Sequence, residues 1–151
     1  MPDLLAGTTV LALDTPPTQS ATGDSSFDAT STSYTTTATA GSYSEVAVVF
    51  VAPTTGRVKW TLSGRLINSA TGGALITCEV REGATIGAGT IVESAGDRGP
   101  SHYGATFARS GTSRLLTGLT PGSTYNARVL HRVTAGTGSF ALRELIVEPC
   151  T

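Results

Sequence analysis

The stretch from Tyr43 to Ile67 constrains the fold of this chain more than any other. An apolar run, Val46 to Ala52, meets a turn made of Pro53, Thr54, Thr55 and Gly56. A strictly alternating segment follows, with Val58, Trp60, Leu62, Gly64 and Leu66 on one face and Arg57, Lys59, Thr61, Ser63 and Arg65 on the other. Alternation at period two marks a half-buried strand. The run before it does not alternate, and a strand apolar on both faces needs cover on its outer side. In a domain this small, that cover is expected to be another copy of the chain, with Ala47, Val49 and Val51 facing the neighbour.

Strand signals then recur at 44–52, 57–67, 74–82, 89–94, 102–109, 112–117, 123–134 and 139–148. Gly- and Pro-containing turns separate most of them. An earlier strand is expected near 27–37, where Phe27 and Tyr34 interrupt a segment rich in Thr and Ser. Short strands at this spacing, without capped helical periodicity, indicate an all-β antiparallel β-sandwich or jelly roll. Ala74, Ile76, Cys78 and Val80 share one face; so do Tyr125, Ala127, Val129, His131 and Val133. In the last strand Phe140 and Leu142 are out of phase with Leu145 and Val147, which predicts a bulge near Arg143–Glu144 or a strand covered on both faces.

The chain divides at about residue 26, giving an extended N-terminal arm (1–26) and a sandwich domain (27–151). The arm has Leu4, Leu5, Val10, Leu11 and Leu13, then the stiff pair Pro16 and Pro17, which excludes central-strand pairing. Alone it cannot bury its leucines, so it is expected to anchor on its own domain, a neighbour or a larger particle. The alternative is a first strand of the domain.

Of the 151 residues, 39% are apolar and 14% charged, with a formal net charge of -1. This balance supplies no electrostatic attraction to nucleic acid or an anionic membrane, and no apolar stretch approaches the ~20 residues that span a bilayer. Asp3 stands where a secretory signal would be basic, so the opening does not read as one. Nine of the ten basic residues are Arg, which points to a GC-rich genome. Cys78 and Cys150 are read as two free thiols, Cys78 buried, although they would pair if the last strand lay beside Cys78.

No catalytic constellation stands out. A hydrolytic reading would need His102 as base and Asp97 as its orienter, but no nucleophile-elbow pattern accompanies them. His131 falls on an inward face. Glu79, Arg81 and Glu82 read as a solvated charged patch. Gly83 to Gly89 lacks the lysine and helix of a phosphate loop and reads as a hairpin loop. No metal or other cofactor is expected. Trp60 belongs to the core, leaving Tyr34, Tyr43 and Tyr103 as the aromatics open to a sugar.

Leu116 to Tyr125, with Gly118, Pro121 and Gly122, resembles the segment leading into the tyrosine corner of fibronectin type III domains. The resemblance implies a structural role for Tyr125, whose hydroxyl would bond back to the upstream backbone. The segment Leu5–Asp14 resembles N-terminal segments of phage tail and fibre proteins, and Val48–Val58 resembles the opening hairpin of trimeric jelly rolls of the tumour-necrosis-factor-like type; the ending Leu142–Pro149 adds to them. Taken together the chain resembles a β-sandwich virion protein of phages of actinobacteria. That resemblance implies a non-enzymatic structural protein of tail, fibre or head decoration. It would be a homotrimer attached to other virion proteins through its N-terminus and assembled in the host cytoplasm. Recognition of a host glycan or receptor through loops 68–73, 83–89 and 96–101 is the alternative.

Overall fold

The computed structural model describes residues 14–69 and 71–150. Among them are eleven strands and no helix: β1 (Gln19–Gly23), β2 (Phe27–Ala29), β3 (Ala40–Gly41), β4 (Ala47–Val51), β5 (Val58–Asn68), β6 (Gly73–Glu82), β7 (Ile91–Glu93), β8 (Ser101–Tyr103), β9 (Ala108–Leu116), β10 (Thr124–Val133) and β11 (Gly138–Pro149). They form two antiparallel sheets. One runs β3-β2-β11-β5-β9 with β1 also on β11; the other runs β4-β10-β6-β7 with β8 also on β6.

The pairings are nested: β1 with β11, β4 with β10, β5 with β9, and β6 with β7. A chain that pairs its first strand with its last, and so on inward, is one long hairpin rolled into two layers, which is the jelly roll. Rolling brings the alternating apolar sides of both sheets together. Trp60, Leu62, Leu66, Ile76, Phe140 and Leu145 fill the space between them.

β5 has the expected faces, with Val58, Trp60, Leu62, Gly64 and Leu66 all buried. The inward sets of β6 and β10 are also as read from the alternation. The expected boundary at residue 26 has β1 on its N-terminal side, hydrogen-bonded to β11 from Gln19–Val147 to Gly23–Arg143. β2 takes over the same edge of β11 from Phe27–Phe140 to Ala29–Gly138. Between the two, the register of β11 against β5 shifts at Ala141/Glu144, and Leu142 has a φ of 47°. This is the bulge the phase shift predicts. Its consequence corrects the assigned face of Leu142: the left-handed residue swings outward and is exposed, and Arg143 turns into the core in its place.

Two further expectations are corrected. The 27–37 strand ends at Ala29 and resumes only as an isolated bridge, Thr35–His131. The two segments 102–109 and 112–117 become a short β8 and one continuous β9, because Ala108 to Leu116 all pair with β5. On β4, Val46, Val48, Phe50 and Ala52 enter the core, and the opposite apolar side of the strand is left at the surface.

The β4–β5 turn and the loop before β10 are locked together. Leu119 N–H donates to Gly56 C=O (3.0 Å) and Gly122 N–H to Ala52 C=O (3.0 Å). Gly56 has a φ of 63°, and a Cβ there would stand 2.4 Å from the Leu119 carbonyl oxygen, so both conformation and space require glycine.

Candidate functional site

β4 is an edge strand, paired only with β10. Its outward side carries Ala47, Val49 and Val51; Val49 is 38% exposed and the other two are half-buried. Across the ladder stand Arg128, Asn126 and Thr124. An apolar edge strand with an unpaired backbone rim is a natural template for contact with another chain. The three residues named from the sequence thus sit together on one accessible strip.

The middle of that sheet's outer face is covered by the chain's own loops, which the sequence reading missed. The 83–90 loop folds back over β10, where buried Asn126 donates to the Gly83 (3.0 Å) and Ala88 (3.2 Å) carbonyls and accepts from Gly87 N–H (3.0 Å). Glu79 is also buried rather than solvated, gripped by Arg81 (2.8 Å) and Arg128 (2.8 Å). Burial opposes its charge, but hydrogen bonds from both arginines hold its pKa below the usual carboxylate range. Buried polar residues on a face that alternation assigns to solvent are the only signal of such loops, and it is not visible in a single sequence.

Further along the same face Tyr103 is 62% exposed, its ring lying where a Cβ of Gly73 would be. Near this end of β10, Arg132 forks onto Asp97 (Nε–Oδ1 3.0 Å, Nη2–Oδ2 2.6 Å), and Tyr34 donates its hydroxyl to the same carboxylate (2.8 Å). The Arg132 and Tyr34 hydrogen bonds hold Asp97 below the usual carboxylate pKa. Asp97 is thereby committed to Arg132 and Tyr34. His102 donates through Nε2 to the Thr106 carbonyl (2.8 Å). The two residues that a hydrolytic reading would join therefore serve separate structural contacts.

The other sheet presents a polar outer face. Lys59–Glu148 (2.8 Å), Arg109–Glu144 (3.5 Å) and Thr61–Ser113 (2.8 Å) link neighbouring strands across it. At the rim between β9 and β7, buried Glu93 accepts from Trp60 Nε1 (3.4 Å) and pairs with Arg114 (2.7 Å) and, more loosely, Arg98 (3.7 Å). Arg114 lies opposite Trp60, so a polar latch closes the layer where β9 offers Ser110 and Thr112 instead of apolar side chains.

Tyr125 is buried and its hydroxyl accepts from Thr120 N–H at 2.9 Å. Cys78 and Cys150 are both free; Cys78 is buried in the core, and burial pushes its thiol pKa up. Among the described residues no three His, Cys, Asp or Glu side chains gather as metal ligands, and no helix is long and apolar enough to cross a membrane. Of the arm residues, Pro16 is buried and Pro17 exposed. Leu4, Leu5, Val10, Leu11 and Leu13 lie outside the described residues.

No protein-family model matches the chain. No curated protein matches it either. Among solved structures it is similar to the Eiger tumour necrosis factor of S. frugiperda, with 10% identity over 89% of this chain and 94% of that one, and a TM-score of 0.45. It is also similar to a chain of infectious bursal disease virus, Gx strain, with 12% identity over 89% of this chain and 34% of that one, and a TM-score of 0.43. A third is the carbohydrate-binding module CBM6cm-2 of Cellvibrio mixtus lichenase 5A, with 12% identity over 93% of this chain and 95% of that one, and a TM-score of 0.31. The jelly-roll assignment rests on the strand pairings above and not on these likenesses.

Proposed function

We propose that this chain is a non-enzymatic virion protein of a bacteriophage, an accessory component of tail, fibre or head decoration, which assembles as a homotrimer and attaches through its N-terminal arm. The observation that carries the assembly is the apolar strip Ala47, Val49, Val51 on the unpaired rim of β4. A two-layer sandwich that covers the middle of this sheet's outer face with its own loops leaves this strip open along an unpaired edge, where a neighbour can add to it. The virion setting is supported by the sequence resemblance of the three segments named above. The non-enzymatic reading is supported by how the candidate groups are engaged: His131 is packed among aromatic rings, His102 is tied to Thr106, and Glu79 is gripped by two arginines. An antiserum against the chain is expected to label intact phage particles in electron micrographs; particles that carry no label would contradict the virion setting.

A second reading, recognition of a host glycan, is favoured by Tyr103. An exposed ring packed against a glycine offers a stacking surface on its open side. This reading is compatible with a place on the tail. Tyr103→Ala should abolish binding to host cells without altering the fold, and unchanged binding would remove the reading.

A further inference from the structure

Arg143 carries a full positive charge into the interior of the sandwich. The bulge at Leu142 turns it inward, and its stem passes Gly64, where a Cβ would stand 3.5 Å from Arg143 Cγ. The guanidinium ends over two rings, with Cζ 4.6 Å from the Phe27 centroid and 5.2 Å from that of Tyr43. The residue is 1% exposed. Nη2 donates to the Ser44 carbonyl (2.8 Å), but Nε and Nη1 meet no acceptor, and among the described residues Arg143 forms no ion pair.

Two more buried polar atoms make no hydrogen bond of good geometry: Tyr43 Oη, which still lies near enough to interact with the Arg143 guanidinium, and His131 Nδ1. Their rings lie 5.1 Å and 4.6 Å from Phe27, so all four atoms belong to side chains packed around that one ring. His131 Nε2 donates to the Thr37 carbonyl (3.0 Å), which leaves Nδ1 as an acceptor. Burial lowers the His131 pKa to about 4 and pushes that of Tyr43 up, so both are neutral near pH 7. The charge on Arg143 therefore stands alone. The two ring faces offset part of its cost, but a buried cation with unused donors is among the most expensive groups a core can hold.

We propose that Arg143 and Tyr43 form the binding site of a small monovalent anion, inside the sandwich where β1 approaches β4. The anion would accept from Arg143 Nε and Nη1 and from the Tyr43 hydroxyl. A water molecule would satisfy these donors but leave the charge uncompensated; an anion does both. The ligand is halide- or formate-sized. Gly23 packs against the Nη2 side, where a Cβ would stand 2.8 Å away, so the anion is confined to the Nε and Nη1 side. The lone pair on His131 Nδ1 opposes a second negative charge.

Bromide is the probe. Crystals grown with sodium bromide should show an anomalous peak within hydrogen-bond reach of Arg143 Nε or Nη1. The unfolding midpoint should also rise by several degrees and saturate as bromide replaces fluoride at fixed ionic strength. Tyr43→Phe, which keeps the ring packing, should weaken that bromide dependence at least threefold, and Arg143→Met should remove it wherever that variant folds. A water without anomalous signal, a peak without any change in midpoint, or the same bromide dependence in Tyr43→Phe would overturn the proposal. None of these outcomes bears on whether the chain belongs to a virion.

Discussion

Thr120 and Tyr125 are joined by a single hydrogen bond, from the Thr120 amide to the Tyr125 hydroxyl at 2.9 Å, that fixes how the chain crosses from β9 in one sheet to β10 in the other. Removing the acceptor leaves a part-buried amide without a partner, which costs about 1 to 2 kcal/mol. Tyr125→Phe should lower the unfolding free energy in urea by that amount and leave the assembly state unchanged. The β4–β5 turn leans on the same corner, so Gly56→Ala should cost at least as much, through both its φ of 63° and its contact with Leu119.

Glu79 is held between Arg81 and Arg128 on a face closed over by the 83–90 loop. Glu79→Ala would leave two cations facing each other. Both arginines retain some access to water, so the expected loss is about 2 to 3 kcal/mol rather than the upper end for a broken buried pair. Urea unfolding of the variant measures it, and hydrogen exchange in residues 83–90 should rise in parallel.

His131 titrates at about 4 in the folded chain, below its ordinary 6.5, because burial opposes the charged ring. Between those values the unfolded chain binds a proton that the folded chain does not. Stability from this group is therefore complete above pH 6.5 and is lost as pH falls toward 4. The loss is on the order of 2 to 3 kcal/mol. Unfolding free energies measured from pH 7 to pH 4 should show this slope, and His131→Gln should flatten it above pH 5. The carboxylates held low, Glu79 and Asp97, add their own loss as pH falls below their ordinary values of 4.5 and 3.8.

The parts of the fold written in local alternation were legible in the sequence. β5 reads residue by residue from Val58, Trp60, Leu62 and Leu66, and the break between Phe140 and Leu145 announces the bulge. What alternation cannot carry is the effect of segments distant in the chain. Glu79 and Asn126 look like surface residues because the loop that buries them is joined to them only in three dimensions. Arg143 looks like a solvent-facing neighbour of Glu144, since nothing local says that Leu142 takes the left-handed conformation and turns it inward. The latch of Glu93 with Arg114 and Trp60 joins three strands and has no linear signature. The shared outward face of Ala47, Val49 and Val51 was readable because they alternate along one short strand.

Trimerisation through β4 is read from the mass of the chain in solution. Light scattering on the full chain at micromolar concentration should give three times the 15.3 kDa of one copy. Val49→Arg, on an outward position that the core does not use, should give a folded monomer. A 15.3 kDa particle from the unsubstituted chain, or a trimer that survives Val49→Arg unchanged, would rule out assembly through β4.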